Sequence, residues 1–150
     1  MRNLKTALML VILVGAVFAA SSDNITVTYE VQAINELTAG DDVTLTVSTA
    51  TAGSAPTAAT DASTYNITTN CGTDAKKITA AIDTDMPAGL TLTLDETAPT
   101  GGTSAGATSI SSSAADIVTA IDGVAESGIG LNFSLSATVG AGVVSSNTRT

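Results

Sequence analysis

Residues 129–137 read Ile-Gly-Leu-Asn-Phe-Ser-Leu-Ser-Ala, and this stretch carries the clearest strand pattern of the chain. Its odd-numbered positions are apolar, and its even-numbered positions are small or polar. Successive side chains of a β-strand point to opposite faces of the sheet, so this alternation predicts a strand with one buried face and one solvated face.

The same two-residue period recurs along the chain and predicts five further strands: 25–33, 43–47, 65–68, 78–82 and 90–94. Threonine fills many of the polar positions, and β-branched side chains favour extended backbone. Clusters rich in Gly, Pro, Asn and Asp separate the strands and predict turns. Six or seven strands with short connections predict an all-β fold, a single antiparallel β-sandwich of about seven strands, Ig-like or jelly-roll-like.

Two segments leave alternatives open. Residues 114–122 fit a short helix as well as a strand, because Ile117, Val118 and Ile121 would share one helical face and Ser113 would cap it. Residues 139–150 resemble a loop that leads into a strand, yet no strand pattern follows. Either the chain continues beyond Thr150 with a final strand, or the sheet has an unfilled edge that invites pairing with another chain.

The first twenty residues have the composition of an export signal. Arg2 and Lys5 precede an apolar run over 7–20, which is short for a stable membrane anchor. Val17 and Ala19 would occupy the −3 and −1 positions of a cleavage site after Ala19, where signal peptides carry small residues. We therefore expect a signal peptide at 1–19, a β-sandwich domain at 20–150, and a secreted protein that meets the membrane only during export.

Composition argues against several function classes. The net charge is −9, and removal of Arg2 and Lys5 would leave three basic residues against fourteen acidic ones, a charge of −11. Such a chain repels nucleic acid. The chain has no His, the commonest general base, and only 3% aromatic residues, which are the usual platforms for sugar rings. The single Cys71 cannot form an internal disulfide.

Few residues are candidates for chemistry. Ser104 lies in a G-x-S-x-G motif, but without a His base this motif predicts no enzyme. Calcium prefers carboxylate oxygens in loops, and the acidic pairs near predicted turns are its candidate ligands; solvated turn carboxylates are the alternative interpretation. No other cofactor is expected. The candidate calcium ligands are Asp83, Asp85, Asp95 and Glu96, and the N-glycosylation sequons are at Asn24, Asn66 and Asn132.

An export signal leads directly into Asn-Ile-Thr-Val-Thr-Tyr-Glu-Val-Gln-Ala-Ile at 24–34, and Thr-, Ala- and Gly-rich β-structure follows. This texture resembles small exported filament subunits of bacteria and archaea, such as fimbrial pilins, biofilm-matrix proteins and bundling-pilus proteins. The resemblance implies a β-sandwich whose subunits join by lending a strand to a neighbour's open groove, and it assigns no site residue.

Two functions are expected on this basis. The first is a secreted structural subunit of a surface filament, pilus or matrix, which associates with itself or with a related surface subunit through β-strand pairing. The alternative is a monomeric secreted adhesion or ligand-binding module, assisted by calcium.

Overall fold

The computed structural model describes residues 23–72 and 74–150, so the expected signal peptide lies outside the described residues. The chain divides into two units, one that ends at Val31 and one that spans Gln32–Thr150. No helix within the described ranges is both long enough and apolar enough to cross a membrane.

The described residues form eight β-strands in two antiparallel sheets. The five-stranded sheet has the order β1-β2-β8-β4-β6, and the three-stranded sheet has the order β3-β7-β5. This arrangement confirms the predicted all-β, sandwich-like class. The strands are β1 (Asn35–Ala39), β2 (Ala59–Thr69), β3 (Lys76–Ala80), β4 (Leu90–Glu96), β5 (Thr103–Ser104), β6 (Thr108–Ser109), β7 (Ala115–Ile121) and β8 (Val124–Ala137), followed by a 3-10 turn over Val139–Ala141.

The alternating stretch 129–137 lies in β8, the central strand of the larger sheet. β8 pairs with β2 on one side, where Tyr65 lies opposite Ile129, and with β4 on the other, where Leu94 lies opposite Phe133. The strands predicted at 65–68 and 90–94 fall within β2 and β4, and most of 78–82 falls within β3. The alternation therefore located the middle of the sheet correctly.

The helix considered over 114–122 is wrong, because Ala115–Ile121 forms strand β7. The pairing of β7 with β3 shifts register twice, so β7 accommodates extra residues as β-bulges. Ala120 adopts a φ of +56° within this irregular strand. Because of this irregularity, the adjacent residues Ile117 and Val118 are both buried in the core. Together with Ile121 they have the spacing of one face of a helix, although they lie on a strand.

Two of the predicted strands are also wrong. Residues 25–33 and 43–47 belong to no strand, and the first strand begins at Asn35. Residues 43–47 keep the predicted alternation of side chains, with Val43, Leu45 and Val47 half-buried and Thr44 and Thr46 exposed. A strand also requires a partner for its backbone N–H and C=O groups, which side-chain alternation does not supply.

The hydrophobic core fills only part of the space over the five-stranded sheet. Val118 and Ile121 of β7 are fully buried against side chains from β2, β4 and β8. At the other end of β4 and β8, Leu90, Leu135 and Ala137 point from the same sheet but are only half-buried. The buried core residues are Tyr65, Ile67, Leu94, Ile110, Ile117, Val118, Ile121 and Ile129.

Candidate functional site

The half-buried end of the five-stranded sheet forms the floor of a groove of about 660 Å³. This end is where β2 begins, because Ala59 lies opposite Leu135 in the sheet. The groove is lined by apolar side chains from several segments, chiefly Leu45, Val47, Met86, Leu90, Leu135 and Val144. A concave apolar surface of this size is the usual form of a binding site.

Two segments outside the strands, 43–49 and 143–149, contribute residues to the lining of the groove. The first is anchored by Thr44 N, which donates to Asp61 Oδ2 at 2.7 Å, and by Thr49 O, which accepts from Thr57 N at 2.8 Å. The second is anchored at Thr150, whose carbonyl accepts from Asp83 N at 2.7 Å.

Between these anchors the backbone is open. The N–H and C=O groups of 45–48 and 143–147 make no hydrogen bond to any residue that the structure describes. Backbone N–H and C=O groups without partners can pair with an added strand where the chain is extended.

Arg149 brings a cation to the groove. Its Nη1 donates to the carbonyl of Thr148 at 2.9 Å, whereas its Nε is buried without a hydrogen-bond partner among the described residues. A guanidinium has five N–H donors and binds carboxylates through two of them at once. The groove therefore combines an apolar floor, open backbone and a donor suited to a carboxylate.

The segment 23–31 has a contrasting surface. Its apolar side chains alternate along the backbone, and all four are exposed: Ile25 by 92%, Val27 by 74%, Tyr29 by 87% and Val31 by 80%. None of these residues belongs to a strand. Exposed apolar side chains that follow one another in this way are typical of a surface that binds a partner molecule.

Asn70 anchors the residues that precede β1. Its Nδ2 donates to the carbonyl of Gln32 at 2.8 Å, and its Oδ1 accepts from Ile34 N at 2.7 Å. These bonds continue the pairing of β1 with β2 beyond Asn35, which lies opposite Thr69. Local sequence does not indicate this role, because the Asn70 amide bonds to residues 36 and 38 positions away in the chain.

The structure distributes the four candidate calcium ligands over separate surroundings. Asp83 bonds to Thr150, and Asp85 Oδ1 accepts from Ser112 N at 2.7 Å, a bond that lowers the pKa of Asp85. Asp95 is exposed and Glu96 is buried, since neighbouring residues of β4 face opposite ways. Within the described ranges no three Asp, Glu, Cys or His residues gather where they could hold a metal ion.

Glu96 instead connects the two sheets. Its Oε1 accepts from Ser104 Oγ of β5 at 2.8 Å and from Ala105 N at 3.2 Å. Ser104 Oγ also accepts from Gly106 N at 2.8 Å, and Gly106 has a φ of +73° that suits glycine. The G-x-S-x-G motif is thus a tight turn bound to a buried carboxylate.

Tyr65 lies in the same part of the core. Its hydroxyl donates to the carbonyl of Thr97 at 2.7 Å. Burial, reinforced by the nearby carboxylates of Glu96 and Glu126, raises the pKa of Tyr65 to about 12. The phenol therefore stays neutral over the whole physiological range.

The remaining polar candidates lie in ordinary structural surroundings. Cys71 is half-buried, with its Sγ 3.5 Å from the carbonyl of Ile121. Asn66 Oδ1 accepts from Gly128 N at 2.8 Å beside the bulge between β2 and β8. The other two sequon residues, Asn24 and Asn132, are exposed.

Comparison of the chain with protein-family models, curated proteins and solved structures finds no match.

Proposed function

We propose that this protein is an exported structural subunit of a cell-surface filament, pilus or matrix, whose copies join by β-strand pairing. The observation that carries the proposal is the segment 25–31, which has the side-chain alternation of a strand while its apolar face is exposed to water. Such a segment is complete as a strand only when a partner supplies backbone hydrogen bonds and an apolar surface.

The energetics support association. Burial of a Val, Ile or aromatic side chain is favourable by about 1.5–3 kcal/mol. Four such side chains lie on one face of the segment, and the polar face carries Thr26, Thr28 and Glu30, which tolerate solvent. A strand of this pattern buries one face and leaves the other solvated, as at the surface of a sheet.

The amino-terminal sequence and the composition agree with this role. The apolar run after Arg2 and Lys5 is typical of a secretory signal, and the abundance of Thr and the scarcity of charge are typical of exported β-proteins. A nucleic-acid-binding protein typically has a basic surface, which this acidic chain lacks in composition.

Strand pairing is tested by a charge on the apolar face of the segment. We expect the double variant Val27→Asp, Val31→Asp to remain monomeric in light scattering at concentrations where the unaltered protein forms regular filaments in negative-stain micrographs. The matched control is Thr28→Asp, which adds a charge to the solvated face and should assemble normally.

Two results would overturn the proposal. One is an unaltered protein that stays monomeric at every concentration. The other is a Val27→Asp, Val31→Asp variant that assembles as well as the control.

A further inference from the structure

We infer that the groove binds a small molecule with one apolar chain and a carboxylate at its end, the chemistry of a medium-chain fatty acid. The groove is formed by residues within 45–149, whereas the proposed function concerns the segment 25–31. The inference therefore goes beyond the proposed function and does not depend on it.

The floor and the walls of the groove suit an apolar chain. Leu90 and Leu135 of the five-stranded sheet are half-buried, and Leu45, Met86 and Val144 line the groove from the connecting segments. The volume of about 660 Å³ falls within the range of about 300–1,000 Å³ that is typical of small-molecule sites. A hydrocarbon chain in the groove would remove its own surface and that of these side chains from water.

The groove carries a charge opposite to that of the whole protein. Asp and Glu outnumber Lys and Arg by 14 to 5 in the sequence. Among the residues that line the groove in the described part of the chain, however, Arg149 is the one with a charged side chain. An apolar groove with a single cation is complementary to a ligand with a single negative charge.

The guanidinium of Arg149 has donors that the described residues leave unused. Its Nη1 donates to the carbonyl of Thr148 at 2.9 Å, and its Nε is buried without a partner among those residues. A buried donor without an acceptor costs free energy. A carboxylate that accepts from Nε and from an Nη group at once would remove this cost.

The carboxylates that anchor the two lining segments do not neutralise Arg149. Asp61 Oδ2 accepts from Thr44 N at 2.7 Å, and Asp83 Oδ1 accepts from Thr150 N at 3.3 Å. Neither forms an ion pair with Arg149, and the one ion pair among the described residues is elsewhere. The positive charge of Arg149 is therefore available to a ligand.

The segment that carries Arg149 can adjust to a ligand. The backbone of 143–147 makes no hydrogen bond to any residue that the structure describes. A shift that turns the Nε of Arg149 toward a bound carboxylate therefore breaks no backbone hydrogen bond of 143–147. Ser145 and Ser146 also line the groove and would bring hydroxyl donors to the same carboxylate.

Binding is tested with decanoate and with decan-1-ol, which has the same chain but no charge. Isothermal titration calorimetry is done on the full mature chain at a concentration where light scattering shows single copies. We expect one decanoate to bind per chain, at least about tenfold more tightly than decan-1-ol, because only decanoate forms charge-assisted hydrogen bonds. Octanoate should bind about fifteenfold more weakly than decanoate, since each buried CH₂ group contributes about fourfold.

Arg149→Gln tests the cation. We expect this substitution to weaken the binding of decanoate at least about tenfold and to leave the binding of decan-1-ol unchanged. The matched control is Lys76→Gln, which removes the same charge from an exposed residue that does not line the groove. It should leave the binding of both ligands unchanged.

Val144→Ser tests the apolar wall independently of Arg149. It should weaken the binding of decanoate and of decan-1-ol alike, by about fourfold if one CH₂ contact is lost. Val143→Ser is its control, because Val143 is the adjacent residue, is fully exposed and does not line the groove. Both substitutions lie in the segment without backbone hydrogen bonds, so we expect circular dichroism to show that both variants fold.

Four results would overturn the inference. They are the absence of decanoate binding, equal affinities for decanoate and decan-1-ol, an Arg149→Gln effect that is absent or equal for the two ligands, and a Lys76→Gln effect as large as that of Arg149→Gln. Tighter binding of the neutral peptide acetyl-Leu-Val-Leu-amide than of decanoate would also overturn it, since the groove would then suit a polypeptide. None of these results affects the proposed association through 25–31, which light scattering of Val27→Asp, Val31→Asp tests separately.

Discussion

Glu96 places a carboxylate in a core made mostly of aliphatic side chains, and its environment determines how much it stabilises the fold. Two donors from β5 and the turn after it, Ser104 Oγ and Ala105 N, reach its Oε1, while Oε2 is buried without a partner among the described residues. A buried carboxylate is tolerated only where hydrogen bonds replace water. The hydrogen bond from Ser104 to Glu96 should therefore stabilise the packing of the three-stranded sheet against the five-stranded sheet.

We expect Ser104→Ala to lower the free energy of unfolding by about 1–3 kcal/mol, the cost of removing the partner of a buried hydrogen-bonding group. Urea denaturation followed by circular dichroism measures this loss. The matched control is Ser109→Ala on β6, whose hydroxyl bonds to no described residue and which should change stability by less than about 0.5 kcal/mol. Equal effects of the two substitutions would contradict a stabilising role of the Glu96–Ser104 contact.

Tyr65 makes stability depend on alkaline pH. Its pKa is raised to about 12 in the folded protein, mainly by burial, from 10.0 when exposed. The unfolded chain releases the phenolic proton first, so this contribution to stability is complete below pH 10 and is lost as the pH rises toward 12. Unfolding midpoints measured between these pH values should fall more steeply for the unaltered protein than for Tyr65→Phe. Parallel curves would exclude Tyr65 as the cause.

At the scale of elements, the turn before β4 positions the floor of the groove. Gly89 has a φ of +85°, and a Cβ added there would lie 2.8 Å from Thr138 Oγ1 and 2.9 Å from Ala141 Cβ. Leu90, the next residue, lines the groove and opens β4. The close approach of 138–141 to this turn thus depends on the missing side chain of Gly89.

Gly89→Ala should therefore cost more than a glycine substitution in open space. We expect a loss of about 2–4 kcal/mol, from the left-handed backbone together with overpacking. Gly101→Ala is the control, because Gly101 has a φ of +83° and no atom within 4 Å of the added Cβ. Its cost should be about 1–2 kcal/mol. Thermal unfolding of both variants measures the loss of stability. An equal loss for Gly101→Ala and Gly89→Ala would show that the contacts of the added Cβ with Thr138 and Ala141 contribute nothing.

At the scale of the whole molecule, net charge opposes the association between copies that we propose. Removal of the amino-terminal basic residues with the expected signal would leave a charge of −11 on each copy. Like charges on successive copies repel one another, and salt shortens the range of this repulsion from about 30 Å at 0.01 M to about 10 Å at 0.1 M. Ionic strength should therefore control assembly.

We expect the concentration at which polymers form to fall as sodium chloride is raised from about 0.01 M to about 0.1 M. Light scattering at fixed protein concentration measures the effect. The Val27→Asp, Val31→Asp variant serves as the control and should stay monomeric at every salt concentration. Polymers that dissolve as salt rises would show that attraction between opposite charges, rather than burial of the apolar side chains of 25–31, drives assembly.

Particular segments show how far the sequence predicts the structure. The alternation at 129–137 predicted the central strand correctly. Over these residues β8 pairs in regular register with β2 on one side and with β4 on the other, so the alternation is kept. The same pattern at 43–47 predicted which side chains are half-buried but not the missing backbone partner, which depends on residues distant in sequence. At β7 the burial of both Ile117 and Val118 followed from bulges that no local pattern indicates.

The candidate site was only partly predictable. The alternation over 25–31 is visible in the sequence because it is local, but the strand that it predicted is absent, and pairing with a neighbour stays a prediction. The groove was not identified, since Leu45, Leu90, Leu135 and Val144 come together from four separate stretches. The role of Asn70 was equally hidden, because its amide bonds to Gln32 across 38 positions of sequence.

The sequence by itself determined the all-β class, the face of each side chain in most strands, and the acidity of the molecule, because these properties follow from neighbouring residues and from composition. Only the tertiary structure decided which extended segments find backbone partners, where the core ends, and that Glu96 and Ser104 join the two sheets. These depend on pairings between residues far apart in the chain. The groove and the segment 25–31 follow the same rule. Whether their backbone groups find partners depends on residues distant in sequence, so local sequence does not determine it.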